Sequence, residues 1–298
     1  MEKSILKNRA AYPFETIGVA IAFSPRLEAI LCESKRLSVS FNAKMVLIHI
    51  GNRTESQEKD LIGLLVKHNF EPHSYQIVWA EGHPADAILK TCKEHVVDLL
   101  IAGAMEKESI FRYYIGSVSR EICRKAKCSV LMFTEPSIEG TSFRKIVVNG
   151  VEHTKTKHTV GASLYLARCE KSEGINVVRE LHLPALAMSN ASNTSDPEQM
   201  KNDLILEETE KLNELIMKMD TSGVSVKTST VFGKTGHAIS SYAKEMHADL
   251  LVINSPDHHL SILDRLFTHD IEYILADLPC NLLIVHSRVD DEMKRVSY

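Results

Sequence analysis

Short runs of apolar residues recur along the chain, separated by stretches in which apolar residues fall three or four positions apart. Five runs fill each half, at 16–23, 45–49, 74–79, 98–103 and 129–133, and at 145–150, 176–182, 224–231, 249–253 and 281–286. The runs are apolar at almost every position, as in parallel strands covered on both faces. The alternation predicts two doubly wound, five-stranded, mostly parallel α/β sheets. Helices are expected over 26–41, 57–68, 84–95, 116–125 and 204–219.

The second half repeats the first. Glu81–Gly103 and Phe232–Asn254, 151 residues apart, both read a Gly, an Ala-Ile helix start, a Lys-Glu pair and Asp-Leu-Leu before a β-branched strand. Phe14 and Phe143 match in the same order, and the strand histidines His49 and His182 form a further pair, both interpreted as structural. A repeat of this length indicates two copies of one domain.

Turn-forming residues between the two repeats indicate the domain boundaries. Pro136, Gly140 and Ser142 mark a linker, so we expect domains over 1–138 and 139–290 and a charged tail over 291–298. The Ser/Asn/Thr-rich stretch 187–203 is predicted to be a surface loop.

Composition narrows the functional classes. The net charge of -4 gives no bulk attraction to nucleic acid or to anionic lipid. No apolar run approaches the roughly 20 residues of a membrane span. The six cysteines contain no CxxC pair, which indicates reduced thiols. We expect a cytoplasmic protein that binds neither nucleic acid nor membrane.

A glycine-containing loop follows the fourth strand of the first half. Gly103 and Glu106 lie three residues apart, nine residues follow, and Gly116-Ser117 then open a helix. Glycine lets the backbone approach phosphate oxygens, and the amides of a helix N-terminus point at an anion. With this loop each half resembles the universal stress protein family, whose nucleotide loop reads Gly, two residues, Gly, nine residues, then Gly-Ser/Thr.

The resemblance implies a Rossmann-like fold of the adenine-nucleotide hydrolase type, a stress-response or regulatory role, and an intrachain pseudo-dimer, with a homodimer left open. It implies weak binding of ATP or AMP, with Mg²⁺, at the carboxyl ends of the first half's strands. The implied site residues are Gly103, Glu106, Gly116, Ser117, Val118, Ala20, Ala22 and Ile50.

The sequence departs from the family pattern. Ala22 and Val151 stand where the family has an adenine-reading Asp. Glu106 replaces a glycine and either repels phosphate, at about 3 kcal/mol per charge pair at about 5 Å and an effective dielectric near 20, or coordinates Mg²⁺. In the second half the loop positions read Asn254, Asp257 and Thr268-His269. We therefore expect at most one nucleotide or anion per chain, in the first half.

Other residues suggest alternatives. His258, His259 and His269 lie near Asp257 but show no fixed ligand spacing, so no metal site is predicted. The loop aromatics Phe111, Tyr113 and Tyr114 are expected to pack rather than to stack on a base. Besides a regulatory binding protein, the sequence leaves open an interaction protein without a nucleotide, a carrier of an apolar small ligand, and at most a weak ATPase. Catalytic residues are not predicted.

Overall fold

The fold comprises two compact units, each of which includes a short segment from the other repeat. The computed structural model describes residues 10–107, 112–181, 197–256 and 271–287. The first unit takes in the chain up to Met105, Gly116–Thr141 and the chain from Leu283; the second takes in Glu106–Ile115 and Ser142–Leu282. The boundary between units therefore falls inside the loop of the first repeat and inside the last strand.

The first unit is built on a parallel sheet in the order β7-β4-β1-β2-β3. Its strands are β1 Thr16–Ile21, β2 Lys44–Ile50, β3 Tyr75–Ala80, β4 Leu99–Gly103 and β7 Ser129–Phe133. Its helices are α1 Leu27–Phe41, α2 Glu55–Lys67, α3 Pro84–Glu94 and α4 Ser117–Lys125. β7 is buried at all five positions, and this explains why four of its five residues are apolar.

The second unit has the same strand order, β10-β9-β8-β11, all parallel. Its strands are β8 Lys145–Asn149, β9 Gly174–Leu181, β10 Val226–Phe232 and β11 Leu250–Asn254. The last strand, β12 Asn281–Val285, begins beside β11, where Asn281 Nδ2 donates to the Asp249 carbonyl at 2.8 Å. The helices are α5 Thr156–Glu170, α6 Pro197–Met217 and α7 His237–Glu245. The predicted fold class is confirmed in both halves.

The repeated Asp-Leu-Leu sequence has a structural cause. Asp98 Oδ2 accepts the backbone N–H groups of Glu15 and Thr16, each at 3.0 Å. Asp249 Oδ2 accepts the equivalent pair, Arg144 and Lys145, at 2.9 and 2.8 Å. Each carboxylate thus satisfies backbone donors at the amino end of its unit's first strand.

Residues at the last strand of each repeat are in contact within the first unit. Within the first unit, the N–H of His286 donates to Ser129 Oγ at 3.1 Å. The start of β7 and the residue after β12 are therefore neighbours in that unit.

Two segments differ from the prediction. A hairpin of β5 Met105–Lys107 and β6 Arg112–Tyr114 occupies the predicted loop. Helix α6 begins at Pro197, so the loop prediction for 187–203 is wrong in its last seven residues; 187–196 lie outside the described residues. Proline is favoured at the first helical position, and Glu198 in the first turn complements the helix dipole.

The pairing of His49 with His182 is also wrong. Thr16 aligns with Lys44 across β1 and β2, and Lys145 aligns with Gly174 across β8 and β9. This register makes Arg179 the counterpart of His49. His182 itself lies outside the described residues, as do the tail 291–298 and the histidine cluster at 258–269.

Candidate functional site

The parallel strands bring several predicted site residues to one edge of the first unit. Ala20 lies near the end of β1, Ile50 ends β2 and Gly103 ends β4. Ala22 is exposed just beyond β1. In open α/β sheets, ligands bind outside this carboxyl edge.

The second part of the predicted site is the start of α4. Gly116 is the N-cap residue, and having no side chain it makes no cap hydrogen bond of its own to the helix. A Cβ on Gly116 would lie 2.6 Å from Met105 Sδ, so the backbone at Gly116 and the Met105 side chain are in close contact. Met105 follows Gly103 by two residues. Gly103 and Gly116 therefore both lie close to Met105. Ser117 is exposed and Val118 half-buried in the first turn.

The spacer between these glycines leaves the first unit. The N–H of Ile115 donates to the Leu275 carbonyl, and the N–H of Leu278 donates to the Tyr113 carbonyl, both at 3.0 Å. Tyr113 thus makes backbone pairing within the second unit. The backbone of Glu106 lies in β5, but its side chain, like Phe111, lies outside the described residues.

A basic residue that the sequence reading missed lies at the same edge. Arg26, the N-cap residue of α1, donates from its guanidinium to the Ala104 carbonyl at 2.5 Å and to the Thr134 carbonyl. In the second unit the N-cap residue of α5 is Lys155, and its buried ammonium donates to the Ser255 carbonyl at 3.4 Å. Ala104 and Ser255 are equivalent, because each follows the last residue of β4 or β11. Each unit therefore holds a cation at the carboxyl edge.

Three rings lie at the carboxyl ends of β1, β2 and β3. Phe23 and Trp79 are stacked at 6.1 Å with 16° between their planes, and His49 meets each edge-on at 4.9 Å. His49 Nδ1 contacts the Ile21 carbonyl at 3.2 Å. Trp79 is the chain's one tryptophan, so its fluorescence reports on this edge alone.

The equivalent loop of the second unit is held by its own side chains. Asn254, the counterpart of Gly103, accepts a hydrogen bond from Thr159 Oγ1 at 2.5 Å and donates to Thr156 Oγ1 at 3.2 Å. Glu180, the counterpart of Ile50, accepts the N–H groups of Gly236 at 3.1 Å and Ile239 at 2.8 Å. The start of α7 is thus already occupied by a carboxylate of the protein.

A cavity of about 60 Å³ lies at the carboxyl edge of the second unit. Its polar lining includes Asn149, Thr235 and Ser255, and its apolar lining includes Val151, Ile253 and Ile274. Val151 stands at the position of the family's adenine-reading carboxylate. The cavity is therefore mixed in character rather than apolar.

Arg179 and Glu208 form a buried ion pair that is hydrogen-bonded to the backbone of Gly150. Arg179 Nη1 and Glu208 Oε2 are 2.5 Å apart, and their side chains are only 8% and 10% exposed. Arg179 Nε also donates to the Gly150 carbonyl at 3.0 Å, and Lys211 donates to Glu208 at 2.7 Å. Burial acts to raise the pKa of the Glu208 carboxyl, but the hydrogen bonds from Lys211 and Arg179 outweigh it, and the pKa is lowered.

One described cluster has metal-ligand chemistry. Ligand atoms of His83, Asp86 and Glu121 lie within 4.8 Å of one another on the first unit's surface. The Lys125 ammonium lies 2.5 Å from Glu121 and 3.8 Å from Asp86. Because a cation of the protein already neutralises these carboxylates, the cluster is explained without a metal.

Comparison with known proteins identifies the family. Residues 13–134 and 164–286 each match the universal stress protein family, and together they cover most of the chain. The chain therefore belongs to that family, as a tandem of two such domains. A universal stress protein from Methanothermobacter thermautotrophicus is 35% identical over 57 residues, which is 19% of this chain and 38% of that protein. The match thus spans little more than a third of that relative's length.

Solved structures agree with the fold. A protein of unknown function from Pseudomonas aeruginosa PAO1 superposes with a TM-score of 0.67 at 14% identity, covering 94% of each chain. A universal stress protein from Archaeoglobus fulgidus gives a TM-score of 0.65 at 12% identity, covering 95% of this chain and 98% of that one. At such identities the likeness shows the fold alone. Among the described helices, none is both long and apolar enough for a bilayer crossing.

Proposed function

We propose that this protein is a regulatory binding protein whose first unit holds one nucleotide, ATP or AMP, or another phosphate-bearing ligand. The observation that carries the proposal is the start of α4, where Gly116 leaves the first-turn amides without a side-chain cap beside the Gly103 edge. Such a helix end attracts a phosphate through its backbone N–H groups and its dipole. The proposed phosphate contacts are Gly103, Gly116, Ser117 and Val118, with Mg²⁺ accompanying a triphosphate.

The charge at this edge supports an anionic ligand. The Arg26 guanidinium donates hydrogen bonds to the carbonyls of Ala104 and Thr134. Ala104 is next to Met105, which contacts Gly116. Around the base position, Ala20, Ala22 and Ile50 offer no side-chain hydrogen-bonding group. We therefore expect the phosphate to supply most of the affinity, with weak selectivity among bases.

The second unit differs in the groups that a nucleotide would need. Asn254 carries a side chain where the family has a glycine, and that side chain is bonded to α5. Glu180 stands where the first unit has Ile50, one of the proposed base contacts, and its carboxylate is bonded to the start of α7. We propose that the nucleotide stoichiometry is one per chain for this reason.

The proposed role is binding rather than turnover. Two family domains in one chain fit an intrachain pseudo-dimer, and we propose domains over 1–138 and 139–290 in a cytoplasmic protein. A ligand in one domain would then signal through the chain to a partner protein, with ATP hydrolysis at background level. An interaction protein that binds no ligand is the competing outcome.

Calorimetry with AMP and ATP on the full chain tests this proposal. We expect one site per chain, weakened about 3–10-fold by Ser117→Ala through loss of one hydrogen bond. Gly116→Val should abolish binding, because its side chain would meet Met105 and block the backbone. Ser240→Ala, a hydroxyl change in the second unit, serves as the control and should leave the affinity unchanged. Two equal sites, no binding, or insensitivity to both first-unit variants would refute the proposal.

A further inference from the structure

We propose that the cavity of the second unit is a second binding site, and that it holds a short-chain carboxylate of about two to four carbons. The proposal is independent of nucleotide binding in the first unit. It rests on unpartnered polar groups, on the cavity's size and on the hydrogen-bond donors of its lining.

The first observation is a buried hydroxyl. Ser255 lines the cavity and is 8% exposed, and its Oγ has no hydrogen-bond partner among the described residues. A buried polar group without a partner costs free energy that a bound ligand can recover. The Thr235 hydroxyl and Asn149 Nδ2 also line the cavity, and the structure gives neither of them a partner among the described residues. Asn149 Oδ1 already accepts the Val151 N–H at 3.1 Å, which leaves the Nδ2 donors of this side chain for a ligand.

These groups together select an acceptor-rich ligand. Asn149 Nδ2 donates, and each hydroxyl can donate. The described lining contains no carboxylate. The buried Lys155 ammonium lies behind the wall, bonded to the Ser255 carbonyl. A negatively charged head of oxygen atoms fits this arrangement, because hydrogen bonds to a charged acceptor are the stronger ones.

The size of the cavity limits the ligand. An apolar cavity of about 150 Å³ holds a benzene ring, so a volume of about 60 Å³ indicates a ligand no larger than benzene. Acetate, propionate and butyrate, with about four to six heavy atoms, meet this limit, whereas an adenine ring, with about ten, exceeds it. Ile253, Ile271 and Ile274 line the remaining wall and suit a short alkyl tail.

The test is an NMR titration of the full chain labelled at the isoleucine δ1 methyl groups. We expect propionate to shift the Ile253 and Ile274 methyl signals and to leave Ile30 of the first unit unchanged. Propionamide has the same shape without the charge and should bind about tenfold more weakly. Equal affinity for the two probes, or no shift with about 50 mM propionate, would overturn the assignment.

Two variants make the test specific. Ser255→Ala should weaken propionate binding about 3–10-fold and at the same time raise the melting temperature of the free protein, because an unpaired buried hydroxyl is removed. Asn149→Asp keeps the acceptor for the Val151 N–H but adds a negative charge, and should abolish binding. Ser240→Ala removes another unpartnered hydroxyl, outside the cavity lining, and should leave the affinity unchanged. AMP shifting the same methyl groups at lower concentration than propionate would show a nucleoside site instead.

Discussion

The Thr159 hydroxyl donates a 2.5 Å hydrogen bond to the amide oxygen of Asn254. Thr159 is the fourth residue of α5, and Asn254 is the last residue of β11. The equivalent positions of the first unit, in α1 and β4, are Ile30 and Gly103. A Cβ on Gly103 would lie 3.5 Å from Ile30 Cδ1, an ordinary contact. An apolar pair in one unit thus corresponds to a hydrogen-bonded pair in the other, and the family's loop position has become part of the packing of α5.

This correspondence predicts a compensating pair of substitutions. Asn254→Gly should lower the free energy of unfolding by about 1–3 kcal/mol, because the buried Thr159 hydroxyl loses its acceptor. Adding Thr159→Ile recreates the pair of the first unit and should recover most of that loss. Urea denaturation of both single variants and the double variant measures the coupling. Strictly additive losses would show that the two side chains do not depend on each other.

The Arg179–Glu208 pair predicts a large effect from a small change. Glu208→Gln should cost about 3 kcal/mol of unfolding free energy at pH 7, because it leaves the Arg179 charge buried beside a neutral group. The matched control is Glu207→Gln, since Glu207 is exposed and also pairs with Lys211. An equal effect of the two variants in urea denaturation would be inconsistent with a special role for the buried pair.

The same pair predicts a pH dependence. Because the pKa of Glu208 is lowered in the folded protein, its stabilising contribution is present above the ordinary value of 4.5 and is lost as the pH falls through the folded value. The stability difference between the wild-type chain and Glu208→Gln should be constant from pH 7 to about 5 and shrink below pH 4.5. A difference that grows in acid would contradict the direction of the shift.

Glu106 predicts an engineered gain of binding. Replacing it restores the glycine of the family's loop and removes a negative charge from the expected path of the phosphate. Glu106→Gly should therefore tighten AMP binding measured by calorimetry, by up to about 3 kcal/mol. The experiment is repeated with ATP with and without Mg²⁺. Weaker binding only in the presence of Mg²⁺ would assign Glu106 to metal coordination instead.

Much of the fold could be predicted from the sequence. Ser129–Phe133 is apolar at four of five positions because β7 is fully buried, and its predicted bounds match the structure. The Asp-Leu-Leu repeat identified the fourth strands, since Asp98 and Asp249 perform the same backbone pairing. Local patterns succeed where burial of a strand fixes the residue type at every position.

The candidate site could be predicted less well, because it is formed by contacts between residues that are distant in the sequence. Arg26 meets carbonyls 78 and 108 residues further along the chain, and no local pattern records such a contact. The alignment of His49 with His182 relied on one shared residue type, whereas strand register places Arg179 there. The Ser255 hydroxyl, which has no partner among the described residues, can be recognised as a candidate ligand contact only once the surrounding fold is known. Aligning the basic residues that precede α1 and α5 could have revealed Arg26 and Lys155 earlier.

The central claim is that the two repeats have diverged into sites for different ligands, and one titration tests it most directly. The full chain, labelled at its isoleucine δ1 methyl groups, is titrated with AMP and then with propionate. Ile30 lies beside Gly103 in the first unit, and Ile274 lines the cavity in the second. The account predicts that AMP shifts the Ile30 signal alone and that propionate shifts the Ile274 signal alone, with neither ligand displacing the other. Movement of Ile274 on addition of AMP, with Ile30 unchanged, would contradict it.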